Sequence, residues 1–264
     1  AYRGAYNDTQ AQTLAGHTIR NAVERAGIDK ETIDDVIMGA ALQQGSTAMN
    51  IARQASIRAG LPTSVSGMSV DRQCASGLMA VMVAGGRIAT GDIDIAVAGG
   101  VESISLVQNE KLNNFRTTDP WLIQNYPSIY MAMLETAEIV AERYGVTRDE
   151  QDDYAAESHK RTAYAIEAGY FSQELVPLTT TKKIQDKKSG EISDQDVTLE
   201  FDEGLRADTT FTSLQKLSPV FKAGQKTNEG KFITAGNASQ LSDGASAAVI
   251  MDSTEALKLT SIPK

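Results

Sequence analysis

The chain has 264 residues and a mass of 28.3 kDa, the length of one large domain or two small ones. It is 41% hydrophobic and 22% charged, with 21 Gly and 6 Pro, which excludes a disordered, collagen-like or low-complexity protein. Its 25 basic and 34 acidic residues give a net charge of −9 and a pI near 4.8, the reverse of what a general nucleic-acid or anionic-membrane binder needs. The single cysteine rules out a disulfide within these residues and a multi-cysteine metal site, and the two histidines, at 17 and 159, leave little for a His-rich one, so no metal ligand is assigned. No stretch approaches the roughly 18 uninterrupted apolar residues of a membrane span. No signal peptide is visible, but the chain opens mid-pattern at Ala1-Tyr2-Arg3, so that observation carries no weight.

Residues 8–26 read as an amphipathic helix, with Leu14, Ile19, Ala22, Val23 and Ala26 near helical spacing and Gly27 as its stop. A short strand follows at 34–39, then a helix at 50–59 closed by Gly60-Leu61-Pro62, then a strand at 65–70. From Cys74 to Ala89 the chain is apolar or small on nearly every side until Arg87, which predicts a helix buried all round. Gly91-Asp92 turns into a strand at 93–98 that ends in Gly99-Gly100. Apolar strands joined by crossover helices predict an α/β domain whose sheet is covered on both faces. Its first part is expected at 1–107.

The character changes at residue 108. Polar runs, Trp121, Tyr126 and Tyr130 precede a charged helical stretch from Ala132 to Ala168, inside which Thr147 and Glu150 form a capping-box signature. Lys182 to Thr198 reads as an exposed hairpin or loop. The stretch 108–231 is taken as an insertion on the α/β core. Core character returns at 232–260, with Phe232-Ile233-Thr234, a turn, a small-residue helix and a strand at 247–251.

Three features carry chemistry. Cys74 stands where a strand hands over to a helix, and the N–H groups and partial positive charge of a helix start favour a nucleophilic thiolate. A buried, inert cysteine is the alternative on position alone. The loop Thr234-Ala235-Gly236-Asn237-Ala238-Ser239, followed by Ser242-Asp243-Gly244-Ala245, is small enough to press against a ligand, or is an ordinary tight turn. Between Leu205 and Lys231, five basic residues against two acidic ones give a net +3, either a phosphate-facing patch or a solvated face. His17 and His159 read as surface or packing residues.

Taken together, Asn50-Ile51-Ala52-Arg53-Gln54-Ala55, Arg72-Gln73-Cys74-Ala75-Ser76-Gly77, Ala98-Gly99-Gly100-Val101-Glu102-Ser103, Thr136-Ala137-Glu138 and the 234–245 segment closely resemble the thiolase family, in family order and over nearly the whole chain. The resemblance implies a layered α-β-α sandwich with an inserted loop domain, in an enzyme built of two similar halves stacked in five layers. It implies acyl transfer between a cysteine and coenzyme A, with carbon–carbon cleavage of a 3-ketoacyl-CoA or the reverse Claisen condensation. Cys74 matches the acylated cysteine, whose backbone N–H contributes to an oxyanion hole. Arg206 matches a residue that packs on the adenine, and Ser213 contacts the same end. Phe221, Ala235, Ser239 and Leu241 match pantetheine contacts, and Met133 the floor of the acyl pocket. Coenzyme A is a substrate, with no permanent cofactor. A homodimer or homotetramer with no nucleic-acid or membrane partner is implied, in the cytoplasm or, in a eukaryote, in mitochondria or peroxisomes.

The departures are as specific. The family's Gly-His-Pro, Cys-x-Gly-Gly-Gly and Asn-Glu-Ala-Phe motifs belong to its second half and do not occur here. Its opening, central strand precedes Tyr2-Arg3-Gly4, and a buried sheet lacking it would leave backbone groups unpaired. A partial record of a longer chain is therefore expected, with the C-terminal half largely absent and Ser261-Ile262-Pro263-Lys264 resembling a piece of it. Acetoacetyl-specific members often read His-Met-Gly where this chain has Ala132-Met133-Leu134, which points to a broader 3-ketoacyl-CoA range. The alternatives are a catalytically incomplete coenzyme A-binding fragment, a condensing enzyme of the ketoacyl synthase type and, least, an assembly subunit.

Overall fold

A computed structural model describes residues 1–259; the 261–264 segment lies outside them. In chain order the elements are α1 (Ala11–Ala26), β1 (Asp35–Gly39), α2 (Ile51–Ala59), β2 (Ser66–Val70), α3 (Ser76–Ala89), β3 (Ile95–Glu102), α4 (Ile104–Val107), α5 (Pro120–Asn125), α6 (Met133–Tyr144), α7 (Arg148–Glu167), β4 (Leu178–Gln185), β5 (Ile192–Leu199), α8 (Phe211–Leu214), β6 (Gly244–Met251) and α9 (Ser253–Ala256). They form two compact units. The first comprises Ala1–Asn113, Val176–Phe201 and the chain from Leu241, and the second Asn114–Leu175 and Asp202–Gln240. Residues 176–201, although inside the 108–231 stretch, group with the first unit.

The first unit is built on a four-stranded sheet of order β2-β1-β3-β6. β1 runs parallel to both neighbours, with Ile37 opposite Met68 on one side and Ala98 on the other. β6 runs antiparallel to β3, with Val97 opposite Val249. The row of backbone groups on β1 that would need a further central strand is instead paired directly with β3.

Alternation along each strand separates two faces. Val36, Met38, Ile95 and Val97 pack with Leu14, Ile19 and Val23 of α1 and with Ile51 and Ala55 of α2. Ile37, Ala96 and Ala98 pack with Ala80 and Ala84 of α3 on the other side. The result is an α-β-α layering, the mixed α/β class expected. Large side chains fill the first face. On the second, alanines meet alanines, so α3 lies close to the sheet. The approach is tightest at Gly39, where a Cβ would come within 3.0 Å of the Ser76 backbone. Helix stops follow the sequence signals: Gly27 and Gly60 take left-handed conformations that only glycine adopts cheaply.

Two sequence expectations are corrected. α3 is not buried all round: Ser76, Ala80 and Ala84 face the sheet, while Leu78 and Met82 are exposed. One sheet face covers only one side of a helix. The 132–168 stretch carries the helix start expected at Thr147, with Gly145 (φ 67°) terminating α6 before Thr147 caps α7. No small-residue helix precedes the last strand. β6 begins at Gly244, because β3 continues to Glu102 and offers it pairing partners along its whole length.

The second unit packs α6 and α7 with an irregular ladder at 219–234. Val220 N–H donates to Ile233 O (2.9 Å), and Gly230 N–H to Phe221 O (3.0 Å). The capping box at Thr147 and Glu150 is present as the sequence predicts. Among the described residues no helix is long and apolar enough to cross a membrane.

Candidate active site

Cys74 lies in the first unit, in the connection 71–75 that turns the chain from β2 into α3, and its side chain is exposed. The turn is closed from inside. The Asp71 carboxylate accepts the Gln73 N–H (2.8 Å), and Ser76 Oγ accepts the Arg72 N–H (2.9 Å) while donating to Gln73 O (2.6 Å). Gln73 is thereby held at φ 51°, a left-handed conformation that costs a non-glycine residue about 1 kcal/mol or more. Local strain of this kind, over-determined by three side-chain hydrogen bonds, fixes the direction in which residue 74 is presented. The first turn of α3 carries no acidic residue. No side chain caps the helix start, so the positive end of its dipole stands beside an exposed thiol.

At the end of β3, Glu102 accepts the N–H of Ala41 (2.9 Å). Burial pushes its carboxyl above the ordinary carboxylate range, and the Asp71 charge adds to that. Asp243 binds Ser105 through both carboxylate oxygens, to the N–H (2.8 Å) and to the hydroxyl (2.6 Å). The Leu241 side chain, also in the first unit, is exposed.

The other sequence candidates fall in the second unit. Met133 is the first residue of α6 and is exposed. Arg206 is exposed, and its backbone N–H donates to His159 Nδ1 (3.3 Å). Sequence reasoning had given His159 no such role. Ser213 belongs to a capping box with Thr210 at the start of α8 and donates its hydroxyl to Thr210 O (2.7 Å). Phe221 is buried on the 219–234 ladder, whereas Ala235 and Ser239 are exposed on the loop that follows it.

That loop is held by groups the sequence reading left without a task. Asn237 Oδ1 accepts the Thr234 N–H (2.8 Å), and its amide donates to Phe232 O (2.9 Å) and to Asp152 Oδ1 (2.9 Å). Asp152 is fully buried and pairs with Arg148 Nε at 2.8 Å. Arg148 also donates to Leu214 O (2.8 Å) and Leu217 O (3.0 Å). Glu135 and Glu138 are buried on the inner side of α6, in line with Ala141. The available signal was their three-residue spacing with that alanine, which places all three on one helix face.

The comparisons with known proteins agree with this picture. The family description "Thiolase, N-terminal domain" matches residues 1–254. A peroxisomal 3-ketoacyl-CoA thiolase 5 of Arabidopsis thaliana is 38% identical over 261 residues, which are 98% of this chain and 54% of that protein. An acetyl-CoA acetyltransferase of Cupriavidus necator is 37% identical over 99% of this chain and 65% of its own length. The crystal structure of the Bacillus anthracis acetyl-CoA acetyltransferase matches with a TM-score of 0.75 at 35% identity, covering 97% of this chain and 63% of that one. The chain therefore spans between half and two thirds of these relatives. On the profile match over nearly its full length, the strand–Cys74–helix junction and the shared fold, the chain belongs to the thiolase family and corresponds to its N-terminal domain.

Proposed function

We propose that this chain supplies the nucleophile and the coenzyme A-binding loops of a thiolase. The observation that carries the reading is Cys74, an exposed thiol on a rigidly closed turn at the start of a 14-residue helix with no acidic residue in its first turn. In the cleavage direction the Cys74 thiolate adds to the 3-keto carbon of a 3-ketoacyl-CoA, and the carbonyl electrons move onto oxygen. N–H donors at the helix start stabilise that alkoxide. It collapses with rupture of the C2–C3 bond, whose electron pair leaves on acetyl-CoA as an enolate. An acid protonates the enolate; the family uses a second cysteine, which this sequence does not contain. The thiol of a second coenzyme A then gives its proton to the acid left deprotonated and takes the acyl group from Cys74, releasing a shortened acyl-CoA and restoring the thiolate.

Arg206 and Ser213 are assigned to the adenine end of coenzyme A, Phe221, Ala235, Ser239 and Leu241 to the pantetheine arm, and Met133 to the acyl pocket. Ala132 and Leu134 around Met133 favour a range of 3-ketoacyl chain lengths. A homodimer or homotetramer is the assembly proposed, in the cytoplasm or, in a eukaryote, in mitochondria or peroxisomes. The test is the intact mass of the full-length protein before and after exposure to acetyl-CoA. One acetyl group is expected on the wild type and none on Cys74→Ser, with turnover in that variant at least ~10³-fold lower. No acetylation of the wild type, or equal acetylation of the variant, overturns the assignment; coenzyme A binding without acylation then favours a binding fragment.

A further inference from the structure

Two buried carboxylates on one helix each grip three consecutive backbone N–H groups. Glu135 accepts from Gln225 (3.0 Å), Lys226 (2.5 Å) and Thr227 (3.0 Å) at the tip of the 219–234 ladder. Glu138, one turn further along α6, accepts from Lys231 (2.9 Å), Phe232 (3.1 Å) and Ile233 (2.8 Å) on its return limb. Both side chains are almost wholly inaccessible, at 1% and 3%. An uncompensated buried carboxylate is costly, so each must be satisfied in place, and here the main chain of the ladder does it. The fit is close: a Cβ on Gly230 would stand 2.8 Å from Glu138 Oε1. The turn after the return limb is then fixed from its other end, because Asn237 is held by the buried Asp152. Residues 231–237 are thus suspended between Glu138 and Asp152. That segment contains Ala235 and runs directly into Ser239.

We propose that Glu138 is a positioning residue for coenzyme A, setting the backbone of the 231–239 segment so that Ala235 and Ser239 meet the pantetheine arm. The proposal rests on the thiolase reading above. Glu138 touches neither substrate nor reacting atoms; it acts through three amides. Replacement by Gln keeps the size but turns one oxygen into an N–H₂ group, which faces N–H donors instead of accepting from them. The ladder then shifts, and the cost falls on binding rather than on the chemical step.

The experiment compares wild type, Glu138→Gln and Glu142→Gln in the full-length protein. Glu142 is the control. It lies on the same helix and loses the same charge, but its carboxylate is exposed and pairs with Lys231 Nζ at the surface. Affinity for free coenzyme A is measured by calorimetry, and KM for coenzyme A and kcat by thiolysis. For Glu138→Gln the expected result is coenzyme A affinity about tenfold weaker and KM raised alike, with kcat within about threefold. Glu142→Gln is expected to stay within about twofold throughout. A merely structural role would lower the active fraction, reducing kcat at unchanged KM and unchanged affinity per active site, and that result overturns the proposal. So does full affinity in Glu138→Gln. Absence of coenzyme A binding by the wild type is a different failure: it removes the thiolase reading and this inference with it.

Discussion

The two compact units are held together by different physics. In the first, Val36, Met38, Ile37, Val97 and Ile19 are inaccessible and pack on both sides of a sheet. In the second, the buried apolar side chains among the described residues are Ala141, Leu214, Phe221 and Ile233, while Glu135, Glu138 and Asp152 are buried with them. Apolar burial is non-directional and rewards area, so it makes a robust scaffold. Buried carboxylates reward particular geometry and are unforgiving when a partner is lost. The cysteine therefore stands on the unit with the apolar core, and the remaining ligand candidates, with the exception of Leu241, stand on the unit that depends on buried carboxylates.

The largest effect that would sharpen this contrast is expected from Asp152→Ala. It leaves Arg148 without its carboxylate and one of the two Asn237 amide N–H groups without its acceptor, at a cost of about 3 kcal/mol. Hydrogen exchange should rise in α7 and residues 232–238 while β1 and β3 keep their protection; equal loss in β3 would break the comparison. Gly39→Ala should cost the first unit about 1–3 kcal/mol by overpacking, because the new methyl meets the Ser76 backbone. The start of α3 then moves, and the acylation rate of Cys74 should fall more than the melting temperature suggests; an unaltered acylation rate would show that the close approach does not set the turn.

Acidification should produce the smallest effect, of opposite sign in the two units. The N–H of Lys226 foremost, then those of Gln225 and Thr227, hold the Glu135 carboxyl below the ordinary range. Its contribution is complete above the ordinary carboxylate value and is lost as pH falls through the lowered one. Glu102 is raised by burial, so its ionisation costs the first unit stability at neutral pH, and that cost is relieved on acidification. Between about pH 6 and about pH 3, amides of residues 225–227 should lose protection while those of β3 near Glu102 do not. Parallel loss in both would contradict the assignment.

Much of the first unit was legible in the sequence because its signals are local. Gly27 and Gly60 stop α1 and α2, β1 and β2 lie within a residue of their expected bounds, and Cys74 falls at a strand–helix junction. The exposed side of α3 was not legible, since an apolar helix reads the same whether or not another layer lies against it. The start of β6 was missed because its first residues are ordered by pairing with β3 rather than by their own preference. Glu135 and Glu138 were hidden for a related reason. Carboxylates on a charged helix read as solvated, and only the fold reveals that their partners are backbone amides some 90 residues away.

That choice of partner has a consequence for how the ladder can diverge. Because Glu135 and Glu138 grip main-chain atoms, the side chains at Lys222 and Asn228 are not what those carboxylates hold. They are free to drift, and with them the local charge and selectivity of the loop, while its path through space stays the same. Gly224 and Gly230 are the exceptions, since a Cβ at either intrudes on the grip itself, at Glu135 and Glu138 respectively. Shape is inherited through the helix, and preference is written separately on the loop.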